Sequence, residues 1–365
     1  MSSSQTTESK VSASGALQPF LIRLVQFTRS VLKDKRVRGA LQLALSLGLL
    51  AWLANRVGLD VIAGTLSGIR WPWYLLAFLL FLGNVLLRAY RWRLLVGALQ
   101  TDIRYGRLLY LYFVGFFFNN FIPSGFGGDI VKVISLRSGE TRGAEALSSV
   151  VMDRLTGLIG SALIALVVLA WNGLRSLLDG NSADLDLSPF LLLITAVVSL
   201  GVPAGFVLIR WIDPLALLGK CLPFSRRIIA IAGLQRFVRT IRCYPPYALL
   251  RALSVSLPFT VGLVFIQYSI ARALAVDVPF TTFALFVPVI AIINALPISF
   301  NGLGMREGVY QFLFVPVGVS SAGAIAMSLA FYFLRVSTGL VGGLLYAGRG
   351  FANYRAQRDQ SQGAA

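Results

Sequence analysis

Charged side chains inside long apolar stretches are the residues of this sequence that could carry chemistry. Arg335 lies in the stretch AFYFLRVSTGL, and Asp129 and Lys132 follow the glycine-rich end of another apolar run. A charged group is costly in hydrocarbon, so such residues are candidates for function. The chemistry that they offer is binding of an anion such as phosphate, or a gating ion pair. For Arg335 the alternative is a structural pair with an acid such as Glu307.

Two stretches break apolar runs with residue types in the same order. Residues 116–132 read FFFNNFIPSGFGGDIVK, and residues 294–307 read NALPISFNGLGMRE. Proline removes a helical N–H donor and glycine lowers helix stability, so a helix is expected to break in each stretch. Because the flanks are apolar, we interpret both as broken helices inside a membrane, with unwound backbone sheltered by protein or facing water.

The arms that follow these breaks begin with charged residues, Asp129 and Lys132 in the first and Arg306 and Glu307 in the second. Helix N-termini present unpaired N–H groups and a positive dipole end, which suit a phosphate. The alternative for Asp129 and Glu307 is that they cap these helices. The alternative for the glycines of both breaks is simple turn geometry.

Two further charged groups lie at the ends of apolar spans. Arg88 and Arg91 follow the second span, and Asp153 and Arg154 begin the fourth membrane element. These residues are candidates for phosphate binding. For Arg88 and Arg91, anchoring at the membrane interface is the alternative.

The composition of the 365-residue chain is that of a polytopic membrane protein. Hydrophobic residues make up 56%, charged residues 13%, and the mean hydropathy is +0.75. The net charge of +18 does not indicate nucleic acid, because the basic residues lie between apolar spans. There is no histidine, and Cys221 and Cys243 lie far apart, so we expect neither a metal site nor a cofactor.

The apolar pattern predicts an all-α integral membrane fold. Spans are expected at about 39–55, 71–87, 147–171, 189–211, 247–274 and 321–347, and broken elements at about 108–136 and 280–318. Residues 1–38 form a tail in which 16–33 have the spacing of an amphipathic surface helix, and 231–241 have similar spacing. Residues 349–365 form a short basic tail.

The distribution of basic residues predicts the topology. Segments that we place in the cytoplasm, including both termini, hold 27 of the 33 Lys and Arg residues. This bias requires that neither broken element crosses the membrane, so the first enters from the cytoplasm and the second from outside. Each half, about 39–172 and 189–348, then has three transmembrane helices plus one re-entrant broken-helix hairpin. Such an inverted repeat is the architecture of alternating-access transporters.

The sequence resembles the transmembrane flippase domain of lysylphosphatidylglycerol synthases, in a stand-alone form, over about residues 39–348. The resemblance is carried by RAYRWR at 88–93, NxxPSxxGGDxxK at 120–132, DRL at 153–155 and PxSxNGxGxRE at 297–307. Each motif alone is weak, and their combined order and spacing is fairly specific. Lys132 stands where arginine is expected, which keeps the charge and loses bidentate geometry.

The resemblance implies translocation of a lipid between leaflets of the cell (inner) membrane, with membrane lipids as partners. Cargo would be an anionic or aminoacylated phospholipid, or a polyprenyl-phosphate-linked lipid. The best-known relatives carry a transferase domain after the membrane part, whereas 17 residues follow here, so we do not expect this chain to make the lipid. The alternatives are an intramembrane lipid-modifying enzyme and a membrane partner of a separately encoded transferase.

Patterns and resemblance together yield one set of candidate residues for binding a lipid headgroup. The set is Arg88, Arg91, Asn120, Pro123, Ser124, Gly127, Gly128, Asp129, Lys132, Asp153, Arg154, Asn294, Pro297, Ser299, Asn301, Gly302, Gly304, Arg306, Glu307 and Arg335.

Overall fold

The computed structural model describes residues 67–121, 127–137, 143–179, 189–211, 244–295 and 304–362, with four isolated positions besides. Within these ranges every regular element is helical, which confirms the all-α prediction for this part of the chain. The helices are α1 (Trp71–Gly97), α2 (Tyr105–Phe121), α3 (Gly127–Arg137), α4 (Gly143–Asp179), α5 (Pro189–Trp211), α6 (Pro246–Ala273), α7 (Phe280–Ile293), α8 (Met305–Phe314) and α9 (Ser321–Gln362), with a 3-10 turn at Val315–Val317.

Several sequence predictions fall outside the described residues. They are the span at 39–55, the surface helices at 16–33 and 231–241, and six candidate site residues, Pro123, Ser124, Pro297, Ser299, Asn301 and Gly302.

Five of the described helices are long and apolar enough to cross a membrane, and they coincide with predicted spans. They are α1, α4, α5, α6 and α9. Helix α1 continues past the expected end at Leu87 to Gly97, so Arg88 and Arg91 lie within the helix. The charged residues do not end the helix because arginine is itself a good helix former. Helix α9 likewise continues beyond the expected end of its span to Gln362.

The other four helices form the two broken elements. Helix α2 has 17 residues, α3 has 11, α7 has 14 and α8 has 10. At about 1.5 Å per residue their lengths are about 26, 17, 21 and 15 Å. Each is shorter than the roughly 30 Å of a bilayer's hydrocarbon core. Helix α2 continues through Asn119 and Asn120 and ends at Phe121, and α7 ends at Ile293, directly before Asn294. The proline residues of both stretches, Pro123 and Pro297, lie outside the described residues.

The helices of the two sequence halves pack against one another rather than in two separate groups. Helix α1 packs along α6, α2 along α9, and α4 along α7. One core cluster contains fully buried aromatic side chains from both halves, among them Trp92, Phe283 and Phe286. Packing between the halves therefore creates the interior in which the charged residues lie.

Glycines allow the backbones of α2 and α9 to approach closely. A Cβ atom at Gly342 would lie 1.9 Å from the carbonyl oxygen of Phe113, and one at Gly339 would lie 2.4 Å from Nδ2 of Asn120. Small residues at such crossings are typical of membrane helices, because packing there replaces the hydrophobic effect as the source of association.

Gly342→Ala tests this packing. The added methyl group would overlap the α2 backbone, so we expect a loss of about 1–3 kcal/mol in stability, as in overpacked cores. Thermal unfolding of the detergent-purified protein measures the effect. Gly348→Ala is the matched control on α9, because no atom lies within 4 Å of its Cβ position. An unchanged unfolding temperature for Gly342→Ala would contradict the close crossing.

Candidate functional site

A cavity of about 270 Å³ lies between the two halves of the chain. Helices α1–α4 line it from the first half, and α6–α9 line it from the second. Its described charged lining consists of six cations and one carboxylate, namely Arg88, Arg91, Lys132, Arg154, Arg306, Arg335 and Asp129. The structure thus brings most of the charged residues predicted for the site to one place.

Arg91 is held by an ion pair behind the cavity wall. Arg91 and Asp153 are 1% and 3% exposed, and Arg91 Nε donates to Asp153 Oδ1 at 2.8 Å. Arg91 Nη1 also donates to Ser256 Oγ at 3.1 Å, and the Tyr112 hydroxyl donates to Asp153 Oδ2. Gly157 leaves room for the guanidinium, since a Cβ atom there would lie 2.8 Å from Arg91 Nη1. Interface anchoring is therefore wrong for Arg91, and Asp153 positions it.

The first turn of α3 carries a second ion-pair group. Asp129 pairs with Arg154 Nε through one oxygen, and Lys132 Nζ lies 3.8 Å from the other. The Gly128 N–H donates to Asn119 Oδ1 at 2.7 Å, so Asn119 satisfies a free N–H at this helix end. Asp129 faces the cavity and sets the positions of two of its cations.

Aromatic rings support two of the first-half cations. Lys132 Nζ lies 3.3 Å from the centre of the Tyr112 ring, and the Arg88 guanidinium carbon lies 5.3 Å from the same centre. Arg88 also lies 5.6 Å from the centre of the Phe259 ring. An aromatic face attracts a cation through its quadrupole and leaves the charge in place. The rings therefore position Arg88 and Lys132, and Lys132 also has the ion pair with Asp129.

The second half contributes a buried pair at the start of α8. Arg306 Nη2 donates to Glu307 Oε1 at 2.8 Å, and Arg306 Nε donates to Ser328 Oγ at 2.7 Å. The Gly304 N–H donates to Glu307 Oε2 at 2.6 Å. Glu307 therefore caps α8, which confirms the capping alternative for this residue. Gly304 has a φ of 80°, a left-handed value that suits glycine.

Arg335 completes the cationic lining from α9. Its side chain is half-buried, and it lines the same cavity as Arg306, Arg88 and Arg154. Glu307, the acid that the sequence suggests as its partner, is bound by Arg306, Ser328 and the Gly304 N–H. The structural pair with Glu307 is thus not what places Arg335 in the span.

Several polar atoms of the cavity wall are buried without a hydrogen-bond partner among the described residues. They are Nε of Arg88, Nη1 of Arg306, and the side-chain oxygens of Asn84 and Asn294. The Asn84 amide is oriented by its Nδ2, which donates to the Phe259 carbonyl at 3.0 Å. Buried polar groups are normally paired. The wall therefore offers both donors and acceptors to a polar ligand.

Not every described candidate residue reaches the cavity. Asp153 and Glu307 lie behind its wall as partners of Arg91 and Arg306. Gly127 begins α3, and Gly128 touches the α2 backbone, where an added Cβ would lie 2.3 Å from the Gly115 oxygen. Asn120 lies against Gly339 of α9. Gly128 and Asn120 are thus packing residues in this structure, and Gly127 marks a helix start.

Sequence reasoning missed several residues of the site. Asn84 and Gln267 line the cavity and are uncharged polar residues in apolar spans, so the cost of polar groups in hydrocarbon could have identified them. Tyr112 stands within an aromatic and aliphatic run and has no such signal. Within the described residues, acidic and cysteine side chains do not gather in groups that could hold a metal ion. The arrangement is suited to binding an anion.

Asp153→Asn tests the role of the buried ion pair. The change leaves a guanidinium buried without its counter-charge, so we expect stability to fall by about 3–5 kcal/mol. Removing both charges in Asp153→Asn with Arg91→Gln should lose less. Asp277→Asn is the control, since the Arg272–Asp277 pair is exposed and its removal should change little. Equal unfolding temperatures for Asp153→Asn and Asp277→Asn would contradict this role.

Comparison with known proteins relates the chain to a family of membrane proteins. The sequence pattern of the family described as lysylphosphatidylglycerol synthase TM region matches residues 39–343. A UPF0104 membrane protein of Pyrococcus horikoshii is 22% identical over 283 residues, which cover 70% of this chain and 80% of that protein. The match to the family extends over most of the chain and includes every helix that lines the cavity. This chain therefore belongs to the family of lysylphosphatidylglycerol synthase transmembrane regions.

Proposed function

We propose that this protein is a lipid flippase that moves a lipid with a phosphate-containing headgroup between the leaflets of the cell membrane. The observation that carries the proposal is the cavity between the two halves, with six cations and one carboxylate in its described lining. A headgroup crossing hydrocarbon unaided loses its hydration at high cost. Arginine and lysine side chains at fixed positions would replace that hydration during passage.

The proposal includes two re-entrant hairpins within an inverted repeat. The packing of helices supports the inverted repeat, because each of two helix contacts has a counterpart between the equivalent helices. Helix α1 corresponds to α6, α2 to α7, α3 to α8, and α4 to α9. The contact of α2 with α9 then corresponds to that of α7 with α4, and the contact of α3 with α4 to that of α8 with α9. Such a repeat suits alternating access around a central site.

In this mechanism the headgroup occupies the cavity while the acyl chains remain in the bilayer. Movement of the two halves would open the cavity to one leaflet and then to the other. Asp129 lines the cavity, whereas Asp153 and Glu307 lie behind it, so Asp129 is the first candidate of the three for coupling transport to protons. The driving force would be an ion gradient or consumption of the lipid after transport.

Transport in proteoliposomes tests the function. We expect the wild-type protein to move fluorescent phospholipid or polyprenyl-phosphate lipid, and Arg88→Gln and Arg306→Gln to lower the rate at least tenfold. Each substitution removes a cation that lines the cavity and that has a buried N–H without a partner among the described residues. Arg93→Gln removes the same charge from the exposed side of α1 and should retain the wild-type rate.

The same assay separates the alternatives. Absence of transport by folded protein would contradict the flippase proposal. A new lipid species in extracts would then favour an intramembrane enzyme. Stable co-purification of a transferase, without transport, would favour a membrane partner subunit.

Cysteine labelling tests the topology. After replacement of Cys221 and Cys243 by serine, an impermeant maleimide should label Asp102→Cys and Ser138→Cys from one side of oriented vesicles. These positions flank the first broken element. Asp277→Cys and Ser320→Cys flank the second and should be labelled from the other side. The positive-inside bias places the first pair, and both termini, in the cytoplasm. Labelling of Asp102→Cys and Ser138→Cys from opposite sides would contradict a re-entrant hairpin.

A further inference from the structure

We propose that the cavity selects a headgroup with two or more negative charges, a phosphate monoester or a diphosphate. It would discriminate against a singly charged phosphodiester and against an aminoacylated headgroup. The inference rests on the function proposed above and names the class of lipid that the same site would accept.

The charge balance of the cavity is the first argument. Six cations line it, one carboxylate lines it, and two more carboxylates, Asp153 and Glu307, pair with its cations from behind. With all six basic side chains protonated, the wall has an excess of three positive charges among the described residues. Residues 122–126 and 296–303, which follow the cavity-lining helices α2 and α7, contain no charged side chain in the sequence, so they leave this balance unchanged.

The position of the excess charge is the second argument. In the first half, four cations face two carboxylates, and in the second half, Arg306 and Arg335 face Glu307. Each half also offers a buried N–H donor without a partner among the described residues, Arg88 Nε and Arg306 Nη1. A ligand that accepts hydrogen bonds from both halves uses at least two oxygens for these two donors. A phosphodiester has two terminal oxygens, so both are then used, whereas a monoester or a diphosphate keeps at least one further charged oxygen for the other cations of the wall.

Repulsion among the cations of the cavity also favours a headgroup with two or more negative charges. Arg335, Arg306, Arg88 and Arg154 line one cavity, and like charges at close range repel one another. A single negative charge would leave two of the three excess charges uncompensated in a medium of low dielectric constant. A lysine-bearing headgroup would add a further cation to this group. A doubly or triply charged phosphate balances the wall most closely.

The size of the cavity favours a compact headgroup. Its volume of about 270 Å³ lies just below the range of about 300–1,000 Å³ that is typical of small-molecule sites. A phosphate or diphosphate group fits this space. The side-chain oxygens of Asn84 and Asn294 can accept hydrogen bonds from a protonated phosphate oxygen or a single hydroxyl group.

Equilibrium binding to the detergent-purified full chain tests the inference independently of transport. Isothermal titration at pH 8 and constant ionic strength would compare dioctanoyl phosphatidic acid and dioctanoylglycerol diphosphate with dioctanoyl phosphatidylglycerol and its lysyl ester. We expect the first two to bind at least tenfold more tightly than the last two. In Arg88→Gln and Arg306→Gln the preference should fall to threefold or less, and in Arg93→Gln it should persist. Equal affinities for all four lipids, or an undiminished preference in both cavity variants, would overturn the inference.

Inorganic phosphate and diphosphate form a second arm that separates a lipid from a soluble ligand. Inorganic diphosphate should bind more tightly than inorganic phosphate in the wild-type protein, and equal or absent binding of the two anions would overturn the inference. Transport of the lipid diphosphate in proteoliposomes then separates a lipid cargo from a soluble one. If the protein keeps its charge preference in the binding assay but does not transport lipid, the proposed function is contradicted and the inference about the ligand stands. Equal transport rates for phosphatidic acid and phosphatidylglycerol would overturn the inference while the flippase function remained.

Discussion

A charge buried inside a membrane protein must be compensated by a partner. In this fold the pair of Arg91 and Asp153 meets that requirement and links several helices. The pair joins α1 to α4, its hydrogen bond to Ser256 adds α6, and the hydroxyl of Tyr112 adds α2. Four helices from both halves therefore meet around one carboxylate. Because breaking a buried pair costs far more than breaking an exposed one, this junction fixes where the cavity lies.

The cavity combines two ways of holding a cation. Carboxylates hold Arg91 and Arg306 from behind and cancel part of their charge. The ring of Tyr112 contacts Lys132 and Arg88 and cancels no charge itself, although Asp129 also pairs with Lys132. Tyr112 thus serves both systems, with its hydroxyl on Asp153 and its face toward the cations. A wall built in this way stays positive although it is buried.

Much of the fold was predictable because hydropathy and helix breakers act locally along the chain. The predicted span 189–211 coincides with α5, and that at 247–274 with α6 to within one residue. The second span was predicted to end at Leu87, but α1 continues to Gly97. Charged residues do not stop a helix, and the charge of Arg91 is compensated by a residue that is distant in the sequence. Arg91 and Asp153 are 62 residues apart, and no local pattern relates them. Most charged candidates for the site were identified because buried charge is rare, whereas Tyr112 carries no comparable signal.

The glycine crossing of α2 and α9 determines which parts of the protein can shift as a unit. Gly342 lies so close to Phe113 that sliding either helix along the other would bring side chains into the opposite backbone. Helix α2 belongs to the first half of the sequence and α9 to the second, and α4 and α7 form the reciprocal contact. Each of these two packed pairs therefore joins one helix from the first half of the sequence to one from the second, and neither half can separate without disrupting both pairs.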